Sequence, residues 1–368
     1  MQRSEKMFSG GQLRIARLIN CFSLDEMGEK VGTTRQYIHQ LESGSKLPNQ
    51  EMEEALAAAL GILPRFFGLT DLAPLVPEQC HFRKQATTPQ MVKSQALARG
   101  AVLGMVVDRL DTMLDLPPVS FPNIPVKNAE DIEQAAEQCR IEWGLGLTGP
   151  ITNIIRVAEN CGAIVSYFDG VSDRVDALSM DRRRPLICRS EAKPAACRLR
   201  FDIAHEIGHL VMHQGVQTGD RETESQAHRF AGAFLIPRSV FVREFPRSRY
   251  LNWQKLEAMK LRWKVSLAAI IRRAYDLQLI GADQYKRAYI HLRKTGQSKV
   301  EKHDDYIQRE EPELLINAFN ALENYQSGAI ARLAVSAGLR NEAFELVTGF
   351  SIPTVTSHHE IGNVVSLF

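Results

Sequence analysis

The sequence lacks the features that mark membrane, secreted and polyanion-binding proteins. No apolar run approaches the roughly 18 residues of a membrane span, and the N-terminus has no signal-peptide core. The six cysteines form no Cys-x-x-Cys pair and no disulfide framework, so we expect reduced, mostly buried thiols in a cytoplasmic protein. A formal charge of only +2 gives the whole chain no general attraction for polyanions.

What is present is an ordinary globular composition, 44% hydrophobic and 24% charged, in a chain of 368 residues. That length is enough for two or three domains, each with its own core.

The most informative stretch is Phe201-Asp-Ile-Ala-His-Glu-Ile-Gly-His-Leu-Val-Met-His213, an apolar helix that carries His-Glu-x-x-His. His205 and His209 stand one turn apart on a single helix face, so both imidazoles can bind one divalent ion. Glu206 lies on the same side, where it can act as general base on a water molecule. The alternative is a core helix with two satisfied histidines. Gly208 costs about 1 kcal/mol of helix propensity, which a close approach of a strand or of substrate backbone would explain.

A catalytic zinc needs a third protein ligand. His213 lies about 12 Å beyond His205 along the helix axis, too far to share the ion, and we interpret it as a group behind the ligands. The next predicted helix, residues 222–237, places Glu224 on one face with the small residues Ala227 and Ala231. We therefore favour Glu224 over Glu222, which lies about 200° around that helix.

These two segments resemble the ImmA/IrrE metallopeptidases of bacteria and their mobile elements. The resemblance rests on Arg200–His213, on Glu-x-x-Ala-x-x-Phe-Ala-x-x-Phe-Leu-Ile-Pro up to Pro237, and on Trp143-Gly-Leu-Gly-Leu-Thr-Gly-Pro-Ile upstream. It implies His205, His209 and Glu224 as ligands of Zn²⁺ (or Mn²⁺), Glu206 as general base, and a gluzincin-like endopeptidase. Position 228 usually holds Asn or Asp in such proteins. Here His228 takes that place, where a polar group would orient a ligand histidine.

The N-terminal 68 residues predict five short helices, with a helix-turn-helix formed by the second and third. Thr33 and Gln36 fit a capping box at the start of the third helix. The run Gly-Thr-Thr-Arg-Gln-Tyr-Ile-His-Gln-Leu-Glu-Ser-Gly resembles the Cro/C1-type (XRE) repressor domains. That resemblance implies DNA contact by Thr34, Arg35, Gln36, Gln40 and Ser43.

The alternative for this module is a bundle that binds protein. The module's eight basic residues are balanced by eight acidic ones, which supports this alternative. A neutral module binds DNA weakly unless it matches the sequence or dimerises, so for binding to double-stranded DNA we expect a homodimer on a palindromic operator.

The overall prediction is an α+β protein, mostly α, whose N-terminal helical bundle is followed by a minimal zincin-like domain and C-terminal helices. Five units are predicted. They are a DNA-binding domain (1–70), a connector (71–130) with a packing helix from Gln90 to Leu114, a metallopeptidase core (131–240), a helical extension (241–298), and a charged linker with a C-terminal helical segment (299–368). Short strands are expected near 163–168, 177–180 and 185–188, and their edge is suited to aligning an extended substrate.

Three further features are a basic stretch, a helical segment and an incomplete copy of the metal motif. The basic stretch 182–200 is either a solvated face or a binding surface for an acidic partner or nucleic acid, with the solvated face favoured. The segment Trp253–Arg293 is either a second small binding unit or a helical lid that completes the peptidase. His359 and Glu360 imitate the metal motif but lack the second histidine, and we assign them no metal.

The predicted function is a DNA-binding regulator whose zinc-dependent endopeptidase domain cleaves a repressor protein, either in trans or in its own N-terminal domain, and thereby derepresses stress or mobile-element genes. One alternative is a transcription factor whose zincin-like domain is a non-catalytic sensor or scaffold. Another is a peptidase whose helical module only binds protein.

Overall fold

The structure is a computed structural model, and it describes residues 8–72, 80–82, 89–168, 177–189, 195–216 and 218–353. The His359–Glu360 pair and Lys193 of the basic stretch lie outside these residues. Helices dominate the described chain, which carries one small sheet. No described helix combines the length and the apolar character that crossing a membrane would require.

The N-terminal region is a bundle of four α-helices closed by a 3-10 helix at Pro64–Gly68. The helices are α1 (Gly10–Ile19), α2 (Leu24–Lys30), α3 (Arg35–Glu42) and α4 (Gln50–Ala59). Ser23 and Glu26 form a capping box at the start of α2. The capping box predicted for Thr33 and Gln36 is wrong, because Thr34 is the N-cap of α3 and its Oγ1 accepts a hydrogen bond from Tyr37 N at 3.2 Å.

The connector contributes a strand and a long helix. Strand β1 (Cys80–Phe82) is followed by α5 (Gln90–Leu110), which ends four residues before the predicted Leu114. Most of α5 is buried, and it packs along α1.

The region around the metal motif combines helices with the sheet. It contains α6 (Ala129–Glu142), α7 (Ile154–Asn160), β2 (Ile164–Tyr167), β3 (Ala177–Met180), β4 (Leu186–Arg189), α8 (Ala196–Met212), α9 (Arg221–Leu235) and α10 (Arg238–Glu244). The strand order is β1-β3-β4-β2, in which β3 runs antiparallel to both neighbours and β2 runs parallel to β4. The three strands expected near 163–168, 177–180 and 185–188 are therefore present.

The sheet separates two hydrophobic cores. Ile164 and Leu186 belong to a core shared with the N-terminal bundle, whereas their chain neighbours Val165 and Ile187 belong to the core around α8 and α9. Successive side chains of a strand point to opposite faces, so a short sheet can serve both cores at once.

The rest of the chain is helical. It contains α11 (Trp253–Trp263), α12 (Leu267–Asp276), α13 (Ala282–Lys294), a 3-10 helix at Asp304–Tyr306, α14 (Leu314–Tyr325), α15 (Ala329–Ser336) and α16 (Asn341–Thr348). Helices α14–α16 share the core of the N-terminal bundle, where Phe319 and Phe344 are fully buried. Leu63 N donates to Gly338 O at 2.8 Å and joins the two ends of the chain directly.

The charged linker predicted at the start of the unit 299–368 comprises residues 299–313, and it instead packs into the structure. Glu301 is 4% exposed and accepts hydrogen bonds from Lys260 Nζ at 2.9 Å and from Leu267 N at 2.6 Å. Asp304 also accepts from Lys260 Nζ, at 2.6 Å. The acidic residues of the segment 299–313 therefore neutralise the buried Lys260 and cap the start of α12.

The solvated-face interpretation of the basic stretch 182–200 is wrong for its buried members. Arg184, Arg189 and Arg200 are each at most 5% exposed. Arg184 pairs with Asp111 at 2.6 Å, and Arg200 pairs with Glu310. Arg182 pairs with Asp108 at 3.1 Å. These arginines hold distant parts of the chain together, so they are not available as a patch for an acidic partner.

Candidate metal centre and nucleic-acid interface

Helix α8 buries both motif histidines. Nearly all of its residues are buried because apolar side chains surround the helix on several sides. His205 and His209 are 0% and 1% exposed, and their Nε2 atoms lie 3.1 Å apart. The predicted one-turn spacing thus brings two ring nitrogens to one point.

The third candidate metal ligand, Glu224, comes from α9. Asp220 caps this helix by accepting hydrogen bonds from Glu222 N and Thr223 N. Glu224 Oε2 lies 3.4 Å from His205 Nε2, and Glu224 Oε1 lies 3.3 Å from His209 Nε2. Glu222, the competing candidate, is exposed and faces elsewhere, with its Oε1 3.5 Å from Gln226 Nε2.

Small residues let the two helices approach. Ala227 and Ala231 are fully buried on α9, as their spacing predicted. A Cβ atom at Gly208 would lie 2.9 Å from Phe230 Cδ1, closer than side chains pack. The glycine therefore makes room for the ring of Phe230 on α9, and the suggested strand or substrate backbone is not what approaches it.

The three side chains suit a divalent cation. In a tetrahedral zinc site with bonds of 2.0–2.1 Å, neighbouring ligand atoms are about 3.3 Å apart. The separations of 3.1, 3.3 and 3.4 Å among the two imidazoles and the carboxylate match that value. Within the part of the chain that the structure describes, His205, His209 and Glu224 are the group that could hold a metal ion.

The protonation states also suit a cation. Burial lowers the pKa of His209 to about 4, so its imidazole is neutral at neutral pH. Burial alone would raise the pKa of Glu224, but the proximity of the His205 and His209 rings outweighs it and brings that pKa to about 2. Neutral imidazole and ionised carboxylate are the forms that bind a metal.

Glu206 is held by a residue that the sequence argument did not identify. Its side chain is 1% exposed, and its Oε2 accepts a hydrogen bond of 2.6 Å from Ser179 Oγ on β3. Ser179 is fully buried. The signal in the sequence was a polar residue between Leu178 and Met180, in a strand otherwise apolar at its centre.

His213 lies behind His209, as the helix geometry predicted. The two Nδ1 atoms are 2.9 Å apart, and His213 Nε2 lies 2.8 Å from Gln226 Oε1. The amide oxygen can only accept, so His213 Nε2 donates to it and His213 Nδ1 becomes an acceptor. His209 Nδ1 then donates to His213, which leaves the lone pair of His209 Nε2 directed at the cation position. Gln226 was also missed from the sequence.

His228 contacts the ligand side of α8 through ring packing. Its ring centroid lies 5.5 Å from that of His205 and 4.9 Å from that of Phe201, both in edge-on arrangements. A role for His228 in orienting His205 remains a prediction.

The helix-turn-helix places most of its predicted DNA-contacting residues at the surface. Thr34, Arg35, Gln36 and Ser43 are exposed, and Gln40 is partly exposed. Arg35 Nη1 forms an exposed ion pair of 3.0 Å with Asp25. Their contact with DNA remains a prediction.

Two contacts fix the orientation of α3. Arg17 on α1 donates two hydrogen bonds, of 2.6 and 2.9 Å, to the carboxylate of Glu42 at the end of α3, and this bidentate pair is largely buried. On α2, a Cβ atom at Gly28 would lie 2.9 Å from Thr33 O in the turn, so the close approach of the turn to α2 needs glycine there. The exposed face of α3 is therefore presented by a rigid scaffold.

Two family models match separate parts of the chain. Residues 158–275 match an IrrE N-terminal-like domain, and residues 13–67 match a helix-turn-helix. The first match begins after the Trp143 motif and extends through α11 and α12. No curated protein matches the chain. The chain thus joins an XRE-type helix-turn-helix, a DNA-binding domain, to an ImmA/IrrE-like domain of the metallopeptidase type.

Proposed function

We propose that this chain is a DNA-bound regulator whose peptidase domain hydrolyses a peptide bond in a repressor protein. The observation that carries the proposal is the convergence of His205, His209 and Glu224, with Glu206 buried next to His205 in the chain and hydrogen-bonded to Ser179. A scaffold without turnover has no physical need for a buried carboxylate beside three metal-binding groups, since burying a charge is costly.

His205, His209 and Glu224 are the proposed ligands, and zinc is the default ion for two imidazoles and a carboxylate. When bound, the ion would polarise the scissile carbonyl and make water more acidic. Mn²⁺ is the alternative that elemental analysis would distinguish.

Glu206 is the proposed general base. In its ionised form it takes a proton from the attacking water and passes that proton to the departing amine, so the peptide bond breaks with no net change at the carboxylate. The hydrogen bond from Ser179 fixes the orientation of the carboxylate that performs the proton transfer. Burial of the site keeps bulk water away from the transfer.

For DNA binding, we assign base contacts to Arg35, Gln36 and Gln40, and backbone contacts to Thr34 and Ser43. Arginine matches guanine and glutamine matches adenine by paired hydrogen bonds in the major groove. A homodimer on a palindromic operator would supply the affinity that a neutral module lacks. Replacing both Arg35 and Gln36 by alanine should abolish operator binding without changing peptidase activity.

The repressor substrate follows from the joining of the two activities in one chain. A peptidase anchored at an operator acts at high local concentration on proteins bound nearby. The substrate is either a separate repressor or the helix-turn-helix domain of this chain.

The test uses the full chain, loaded with zinc and incubated with a repressor encoded beside it. Glu206→Gln should keep stoichiometric metal and lose cleavage by at least a hundredfold, because it removes the base but not a ligand. Glu142→Gln, an exposed position on α6, is the matched control and should cleave normally. If Glu206→Gln cleaves as fast as the parent chain, the assigned base is wrong. If a metal-loaded parent chain binds DNA but cuts no co-encoded protein, the non-catalytic sensor is the better reading.

A further inference from the structure

A cavity of about 380 Å³ lies beside the candidate metal centre, between α8, α9, α12 and α13. Its aromatic wall is formed by Phe201, His228, Tyr285 and Tyr289. Helices α12 and α13 belong to the segment interpreted above as a binding unit or a helical lid, and they supply about half of the enclosure.

The cavity is continuous with the site through two rings. Phe201 lies one helical turn before His205 on α8, and His228 lies one turn after Glu224 on α9. The His228 ring touches both Phe201 and His205. A side chain adjacent to a peptide bond held at His205 would thus be within reach of this cavity.

The charges of the cavity are already compensated within the protein. Arg272 pairs with Asp276 at 3.0 Å, and Arg198 donates to Ser298 O at 2.5 Å. Asp202, which is 3% exposed, also lines the cavity, so groups of both charge signs are present and neither an acidic nor a basic guest is favoured. The surface that a bound side chain can contact is therefore mainly aromatic. It includes the Tyr285 and Tyr289 rings, whose centroids are 4.8 Å apart.

We infer that this cavity is the specificity pocket of the peptidase and that it accepts a large neutral side chain, aromatic or aliphatic, next to the scissile bond. This inference rests on the proposed function, since it assigns the cavity to the substrate of that site. A hydrophobic pocket discriminates by size, at about 10- to 200-fold for small differences in the guest.

The experiment measures kcat/KM of the zinc-loaded full chain on a library of peptides tiled along the co-encoded repressor, with Phe, Leu, Ala, Asp or Lys substituted at each position in turn. Phe and Leu should be preferred over Ala, Asp and Lys at one position. Tyr289→Ala should reduce that preference at least tenfold while changing the Ala peptide less than twofold. Tyr325→Ala, 89% exposed on α14, is the control and should keep the preference.

Binding of the same peptides to the Glu206→Gln chain separates the two claims. Selective binding of the Phe and Leu peptides without any cleavage by the parent chain would overturn the proposed function and support the pocket. Cleavage or binding that is indifferent to these residues, or an equal loss on all peptides in Tyr289→Ala, would overturn the pocket.

A second inference rests on a different observation, the pairing of the connector strand β1 with β3. His81 pairs with Ser179, the residue that holds Glu206, and Cys80 pairs with Met180. Strand β3 is flanked by β4 on its other side, so β1 takes the edge of β3 that an extended peptide would otherwise use.

The geometry points to β1 as an internal competitor of substrate, which must leave β3 before an extended peptide can pair there. Because β1 belongs to the segment between the DNA-binding domain and the peptidase, its release would link the two. This inference also rests on the proposed function.

A cross-strand disulfide tests the release. Directly opposed residues in antiparallel strands have Cα atoms about 4.5–5.5 Å apart, within the range of a disulfide. Met180→Cys should therefore bond to Cys80 on oxidation, and mass spectrometry of the digest verifies the bond. The oxidised chain should cleave at least tenfold more slowly than the same sample after reduction, which is its own control for folding.

Peptide binding by the same variant combined with Glu206→Gln provides a readout without turnover. Weaker binding when oxidised and recovery on reduction support the competitor even if the parent chain cleaves nothing. Equal binding and cleavage in the verified oxidised and reduced forms would overturn it.

Discussion

Ser179 Oγ donates a hydrogen bond of 2.6 Å to Glu206 Oε2 and thereby ties strand β3 to the carboxylate in the middle of the metal motif. Both side chains are almost completely excluded from water. A buried carboxylate that accepts a hydrogen bond from a buried donor keeps one orientation, which is what a base needs if it is to meet the attacking water.

Replacing Ser179 by alanine should therefore lower kcat about tenfold with little change in KM or metal content, because Glu206 loses its orientation but no ligand is touched. Loss of the donor also disfavours the ionised form, so the acidic limb of the pH–rate profile should move to higher pH. Ser166→Ala on β2, also buried, is the matched control. Unchanged kcat and profile in Ser179→Ala would show that β3 does not position the base.

The second prediction concerns metal affinity and follows from the hydrogen bonds that link His209 to His213 and His213 to Gln226. His213→Ala removes the acceptor that fixes the tautomer of His209, and such losses typically weaken metal affinity 10- to 100-fold. Competition with a chelator of known affinity measures the change. His291→Ala, whose ring stacks on Trp253 with centroids 4.1 Å apart, should leave the affinity unchanged. An affinity in His213→Ala equal to that of the parent would contradict the proposed tautomer.

The sequence predicted the parts of the site that depend on helical periodicity. His205, His209, Glu224 and the stripe of Ala227 and Ala231 could be placed because residues three and four apart share a helix face. Ser179 and Gln226 could not, since their roles depend on how a strand and a second helix pack onto α8.

Long-range pairing was likewise out of reach. The arginines near 182–200 looked like a solvated face because their partners, Asp108, Asp111 and Glu310, lie far away in the sequence. The sequence predicted helices in the C-terminal segment, but not that they complete the core of the N-terminal bundle.

Gly208 gives a prediction about the distance between α8 and α9. An alanine there would place a Cβ atom 2.9 Å from Phe230 Cδ1, and overpacking of this kind typically costs about 1–3 kcal/mol. Because Phe230 and Glu224 are on the same helix, Gly208→Ala should weaken metal binding as well as stability. Gly232→Ala, whose Cβ atom would meet Arg273 Cδ at an ordinary van der Waals distance of 3.4 Å, is the control. Urea unfolding and metal titration of both variants check the prediction, and equal behaviour would contradict it.

The C-terminal helices should stabilise the DNA-binding domain. Phe344 on α16 is fully buried in the core that contains Leu13 and Phe66 of the N-terminal bundle. Phe344→Ala should destabilise the chain by about 3–5 kcal/mol, as large-to-small substitutions in a core do. Hydrogen exchange of α1 amides should rise in this variant and not in Tyr325→Ala. Faster exchange confined to α14–α16 would show that the two ends of the chain are not one cooperative unit.

Buried thiols make the last prediction, because their titration reports on packing. Burial raises the pKa of Cys139 and of Cys197 to about 12 and that of Cys161 to about 11. A raised pKa lowers the thiolate fraction at a given pH, to about one part in 10⁴ for a pKa of 12 at pH 8, and the thiolate is the reactive form. Iodoacetamide at pH 8 should therefore modify the partly exposed Cys21 first and leave these three intact until urea is added.

Cys197 carries extra information, since its Sγ donates to Asp304 at 3.2 Å and that carboxylate belongs to the segment packed against Lys260. Asp304→Asn should loosen this segment and make Cys197 react before Cys139, with mass spectrometry locating each label. If the order of labelling is unchanged in that variant, the segment 299–313 is held to α8 by other contacts.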